Sequence, residues 1–169
     1  YANTGLGIDL VGTDGAVDAN DGLDVDTGAN NVQNFPVITT AFSNGSTATM
    51  VGTLNSAASS NYTVHFYRSA ACDDSANGQG TVYMGSGAVA TDGSGIGPFA
   101  IAFASGVSTS EVVTATAVRD SNGDTSEFST CSAVTPPPLS VTTINWTTGS
   151  KVQIEWAAVS TATSYTVYR

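Results

Sequence analysis

Asn61-Tyr62-Thr63-Val64-His65-Phe66-Tyr67 is the stretch whose reading decides the fold. Its residues alternate: Tyr62, Val64 and Phe66 fall on one face, Thr63, His65 and Tyr67 on the other. Successive side chains of a strand point to opposite faces, so this period of two reads as a strand with an apolar inner side. The same pattern recurs on both sides of it. Upstream, Thr49, Val51 and Thr53 alternate with Met50 and Leu54. Downstream come a run with Val82, Met84 and Val89, a run with Phe99, Ile101 and Phe103, and a run from Val112 to Val118. Asn44-Gly45, Asn77-Gly78, Asp92-Gly93 and Ser121-Asn122-Gly123-Asp124 supply the turns between them. No stretch carries an apolar stripe at helical spacing.

Strands recurring roughly every 10 to 15 residues without helical periods predict an all-β protein, an immunoglobulin-like antiparallel β-sandwich. The composition agrees. Charged residues make up 11% of the 169, against about a quarter in ordinary globular domains. Ser and Thr number 44, Gly 18, and Lys151 is the single lysine. Threonine and valine suit pleated, half-exposed surfaces, and Gly, Asn, Asp and Ser suit turns. Recurrent Val, Ile, Phe, Tyr and Trp argue against disorder.

The net charge is −10. Nucleic acid is therefore excluded as a partner, since its recognition draws on clustered Lys and Arg, and anionic membrane surfaces are disfavoured likewise. No apolar run approaches the roughly 18 residues of a membrane span. The first residue is Tyr1, with no signal peptide, which fits a processed chain or a piece of a longer one. Cys72 and Cys131 form an even pair, and an even count in a Lys-poor, Thr-rich chain favours a disulfide in an oxidising compartment. Two buried free thiols are the alternative.

Four segments differ in chemistry. Residues 1–34 are rich in Asp, Asn and Gly and contain no basic residue. Residues 35–135 carry the alternating patterns of the sandwich. Residues 136–140 form a linker opened by Pro136-Pro137-Pro138, stiff as polyproline II. Residues 141–169 contain both tryptophans and read as three strands, Val141 to Trp146, Lys151 to Trp156 and Ser164 to Tyr168, an incomplete second β-sandwich.

Several of these motifs carry a resemblance. Gly5-Leu6-Gly7-Ile8-Asp9-Leu10, then Asp14-Gly15, Asn20-Asp21 and the run from Asp24 to Pro36, resembles a pattern in large bacterial secreted repeat proteins. There it lies where a right-handed parallel β-helix ends and a β-sandwich begins. Thr114 to Ala117 followed by Asn122 to Ser129 is similar to the last hairpin of that sandwich, and Cys72 and Cys131 match its paired cysteines. Asp124 stands where that family usually has Asn. Gln153-Ile154-Glu155-Trp156 and Ser164 to Arg169 resemble the second and third strands of a fibronectin type III module, with Trp156 as its core tryptophan. The resemblance implies an extracellular, multidomain setting more than an activity.

Among candidate sites, the acidic N-terminal segment stands first. Six of the 14 acids lie between Asp9 and Asp26. Like charges so dense repel one another unless a cation or solvent relieves them. Asp14, Asp18, Asn20, Asp21, Asp24 and Asp26 offer oxygen ligands that suit calcium, with glycines to bend the backbone, although the spacing is not that of an EF-hand. A solvated, Asx-turned loop is the alternative. Asp120, Asn122, Asp124 and Ser126 before Glu127 form a second candidate, which a hairpin tip explains without metal. The single histidine, His65, reads as a rim residue; with Cys72 and Cys131 it falls short of a zinc set. No nucleophile elbow opens a helix, and no carboxylates pair as in a glycosidase. Tyr62, Tyr67, Tyr83 and Trp146 are candidates for stacking on sugar. Asn44, Asn61 and Asn145 head glycosylation triplets.

The expectation is a non-catalytic extracellular structural or adhesive module of a secreted or cell-surface protein, stabilised by calcium. Its partners would be the other domains of a larger protein. The alternative is a filament subunit joined head-to-tail to copies of itself by strand donation between incomplete ends. Carbohydrate binding is a third reading.

Overall fold

The computed structural model describes residues 5–11, 15–138, 141–147 and 151–156. The five alternating runs form strands β2 Ala48–Asn55, β3 Asn61–Ser69, β4 Val82–Ala90, β5 Ile96–Phe103 and β6 Val112–Arg119, and ahead of them lies β1 Val37–Ser43, which the sequence reading did not mark. A short β7, Ser132–Thr135, follows, and β8 Val141–Thr147 pairs with β9 Lys151–Trp156 as a separate antiparallel hairpin. The third strand expected at Ser164 to Tyr168 lies outside the described residues. Apart from a single 3-10 turn at Ala29–Val32, no helix occurs among the described residues, and none is long and apolar enough to cross a membrane.

The all-β expectation holds; its detail does not. Strands β1 to β7 form one continuous mixed sheet in the order β4-β3-β6-β7-β1-β2-β5, nearly closed into a barrel. The antiparallel expectation fails at one pair: β7 runs parallel to β1, with Ala41 opposite Val134, and antiparallel to β6. Alternation specifies which side chains share a face, not which strand lies alongside or in which direction. The last strand of this sheet, β7, reaches in between β6 and β1 and joins the two halves.

The inner face is built as the alternation requires. Tyr62, Val64 and Phe66 of β3 and Met50 and Leu54 of β2 are fully buried, with Val113, Ala115 and Ala117 of β6 beside them. Phe66 meets Phe99 and Phe103 of β5 edge-on, at centroid distances of 5.7 and 5.4 Å, the orientation that aromatic quadrupoles favour. The ladder ends at β4 and β5. Across that seam Gly87 lets β5 close in: a Cβ there would lie 2.4 Å from Cδ1 of Ile101.

Strand β6 departs from simple alternation, because its outward Thr114 and Thr116 are also buried. Residues 126–129 flank the strand beyond β7. Ser126 and Ser129 accept hydrogen bonds through Oγ from the Ala117 and Ala115 N–H groups, while their own N–H groups donate to the carbonyls of those same residues. Two serine hydroxyls thus stand where carbonyls of a neighbouring strand would.

Candidate metal centre

The acidic segment is fastened to the barrel by amides and carboxylates. Asn20 Nδ2 donates to the Phe35 carbonyl (2.8 Å) and its Oδ1 accepts the Phe35 N–H (2.9 Å). Buried Asn34 accepts the Asp21 N–H at 3.0 Å and donates to the carbonyls of Asp21 and Asn55 at 2.8 and 2.9 Å. Glu127, 2% exposed, accepts the Leu10 N–H on Oε1 and the Asp18 N–H on Oε2, each at 3.0 Å. At the far turn, Asn30 and Asn31 adopt left-handed φ angles of 48° and 51°, which asparagine tolerates. Asn30 accepts from Thr125 N–H and Asn31 donates to Asp124.

Asp24 joins this segment to the core. Its Oδ1 accepts the Asn34 N–H and its Oδ2 the Ser56 hydroxyl, both at 2.8 Å. Ser56 Oγ in turn accepts Gln33 Nε2 at 2.9 Å and shares a 2.8 Å bond with the Tyr62 hydroxyl. An ionised carboxylate only accepts, so Ser56 gives its proton to Asp24 and Tyr62 donates to Ser56. The serine hydroxyl is then fully used, one bond donated and two accepted.

Around Asp24, carboxylate oxygens of Asp21, Asp24 and Asp26 lie within 4.8 Å of one another. Leu23 and Asp24, at φ 67° and 56°, wrap the turn that gathers them. Asp18 Oδ2 and Asp26 Oδ1 are shielded from solvent without a hydrogen-bond partner. Burial raises the pKa of Asp24, and hydrogen bonds from Ser56 and Asn34 offset part of the rise. Burial, with the charges of Asp21 and Asp18, raises Asp26. Burial also raises Glu127, against the N–H groups of Leu10 and Asp18. These groups resist ionisation where they stand, and a divalent cation with oxygen preference would favour their charged form.

The ligand set read from the sequence therefore contracts to Asp21, Asp24 and Asp26. Asn20 drops out because both ends of its amide bind Phe35. Asp18 lies close enough to act on Asp26 but is outside the triad, and Asp14 lies outside the described residues. The loop of Asp120, Asn122, Asp124 and Ser126 is occupied internally: Asp120 accepts from Thr63, Asp124 from Asn122 and Asn31, and Ser126 lies against β6. Glu127 and Asn34 were missed. A lone acid inside the strand-like Ser126-Glu127-Phe128-Ser129 run is the one hint that sequence offered for the first.

Elsewhere, Tyr62 is a core residue and no platform for sugar. Tyr67 and Tyr83 pair across β3 and β4 with centroids 5.5 Å apart, and His65 Nδ1 meets the Tyr83 hydroxyl at 3.1 Å. Trp146 belongs to β8, but its side chain lies outside the described residues. Cys72 and Cys131 form the disulfide.

The shifts predict an unusual acid response. A carboxyl whose folded pKa is raised binds its proton more tightly folded than unfolded. Stability from Asp24, Asp26 and Glu127 therefore increases as pH falls from neutrality toward the ordinary carboxylate value of about 4. Asp73 and Asp92, lowered by hydrogen bonds from Ser75 and from Ser94 and Ile96, act oppositely and lose their contribution below that value. In chelator, the melting temperature should rise as pH falls from neutrality toward that ordinary carboxylate value, before it falls in stronger acid. A steady fall over that interval would contradict the buried state of these acids.

A scan against models of known protein families finds none that matches the chain, and a search of curated proteins finds no match.

Proposed function

We propose that this chain is a non-catalytic structural or adhesive module of a secreted or cell-surface protein, and that calcium tightens its acidic segment. The observation that carries the reading is how the acids are employed. Asp24 and Glu127 hold backbone and side-chain donors of the chain itself, as a joint does, instead of facing each other across a cleft. The disulfide suits an oxidising, non-cytoplasmic place. Three clustered carboxylates suit calcium, whose six to eight oxygen ligands can include carbonyls and water. The resemblance to bacterial secreted repeat proteins points to the same setting.

The test is thermal unfolding with calcium and with chelator. At a free concentration 100 times the dissociation constant, a bound ion adds about 2.7 kcal/mol. Asp26→Asn should remove that increment and leave the chelated protein no less stable, because it deletes a charge that its neighbours oppose. A melting temperature indifferent to calcium would sink the metal reading.

The filament reading has one observation in its favour: β4 and β5 end the ladder and keep edges that a neighbour's strand could join. Against it weighs the fastening of Leu10, Asp18, Asn20, Asp21 and Asp24 to their own barrel. Negative-stain microscopy decides: ordered filaments would establish the second reading, isolated particles would retire it.

A further inference from the structure

Where the β1–β2 turn meets the loop between β5 and β6, the surface opens into a cleft of about 360 Å³. We propose that this cleft is a saccharide-binding site; the inference rests on the adhesive reading and gives it a ligand class. Its floor is fixed. Ser43, 2% exposed, accepts through Oγ the N–H groups of Gly45 at 3.1 Å and Val107 at 3.0 Å, which locks the two loops together. Gly106 packs on Gly45 so tightly that a Cβ would lie 2.1 Å from the Gly45 carbonyl oxygen. Only glycine permits that approach, and it leaves bare backbone as one wall.

Arg68 and Glu111 stand together on the wall. Arg68 Nη1 reaches Oε1 and Oε2 of Glu111 at 2.8 and 3.1 Å, and Oε2 also accepts the Ser108 N–H at 2.9 Å. The carboxylate is thus oriented by two groups, and the guanidinium is held at the end of β3. The simpler account is a clip between β3 and the turn before β6. It explains the pair but not the cleft beneath it.

Charge selects the ligand. An anion would meet Glu111 and a chain of net charge −10; a cation would compete with Arg68 for the carboxylate. A neutral ligand with adjacent hydroxyls, each both donor and acceptor, can engage guanidinium and carboxylate together. The volume lies at the small end of the range for ligand pockets, enough for a short saccharide.

The experiment is a ¹⁵N–¹H titration of the disulfide-bridged chain with glucose, galactose, mannose, fucose, N-acetylglucosamine and N-acetylgalactosamine, each to about 50 mM, since a single small sugar binds at best in the millimolar range. At least one sugar should shift the amides of Gly106, Val107, Ser108 and Glu111 saturably. Thr109→Leu, at an exposed loop position on the rim, should weaken that binding at least ~10-fold. Arg68→Gln should do the same, and the Thr109 variant stands as the test if Arg68→Gln loosens the barrel. No saturable shift from any of the six sugars, or binding undiminished in Thr109→Leu, overturns the proposal. Either failure leaves the scaffold reading intact, because that reading is judged by the calcium dependence of unfolding.

Discussion

Replacing Cys72 and Cys131 together by alanine will lower the stability of the barrel by about 4 kcal/mol, the largest effect expected from any change considered. The bridge spans 59 positions, with Cα atoms 6.0 Å apart. Opening it returns to the unfolded chain the freedom of a loop of that length, and on the chain-entropy model the cost grows with the logarithm of the loop. The location adds to the consequence. Cys72 lies in the loop after β3, and Cys131 immediately precedes β7, the strand that joins the halves of the sheet. Backbone bonds already tie the same places: Cys131 N–H to the Ala76 carbonyl and Gly78 N–H to that of Ser129. Asn77 Nδ2 donates to the Phe128 carbonyl at 2.7 Å as well. Those bonds should keep the variant folded near room temperature, with a melting temperature lower by on the order of 15 °C. The measurement is denaturant unfolding of wild type, wild type in reductant, and the double variant. A loss below about 1 kcal/mol would mean that the denatured chain is already held compact without the bridge.

Ser56→Ala should cost about 3 kcal/mol, although it removes a single oxygen. Ser56 is fully buried and its hydroxyl joins Asp24, Tyr62 and Gln33. Its loss leaves a carboxylate oxygen, a phenol and an amide without that partner where water cannot readily replace it. A cycle with Tyr62→Phe separates this from simple loss of volume. Removing both partners of a buried bond is less harmful than removing one, so the double variant should cost less than the sum of the single ones. Strict additivity would mean that the hydroxyls do not act as a unit. The same cycle tests the link from acidic segment to core. Ser56→Ala should also change calcium's increment to stability, because Asp24 belongs to both the hub and the carboxylate triad.

How far the residues alone carried the description depends on the range of the interaction. Strands β2 to β6 were legible, and so was the inner face of β3, because period two is written locally; β1 and the short β7 were not. The acids between Asp18 and Asp26 declared themselves by density, since charges within a few residues cannot escape one another. The roles inside that cluster were not legible. Asn20 looked like a ligand and is a bracket for Phe35; Asp24 looked like one acid among six and is the group that reaches Ser56. Glu127 drew notice only as the end of a second loop, yet it holds Leu10 and Asp18 from more than 100 positions away.

By itself the sequence determined that the chain is all-β, where strands β2 to β6 fall, which side chains make the inner layer of β3, and that its negative charge gathers near the N-terminus. Those are properties of neighbours along the chain. Only the tertiary structure decided that β7 runs parallel to β1, that the sheet is continuous and nearly closed, and that Thr114 and Thr116 lie buried on the outer side of β6. It alone turned the acidic residues into fasteners. Pairing across such distances depends on which backbone edges and buried polar groups the whole fold leaves unsatisfied, and no local pattern encodes that.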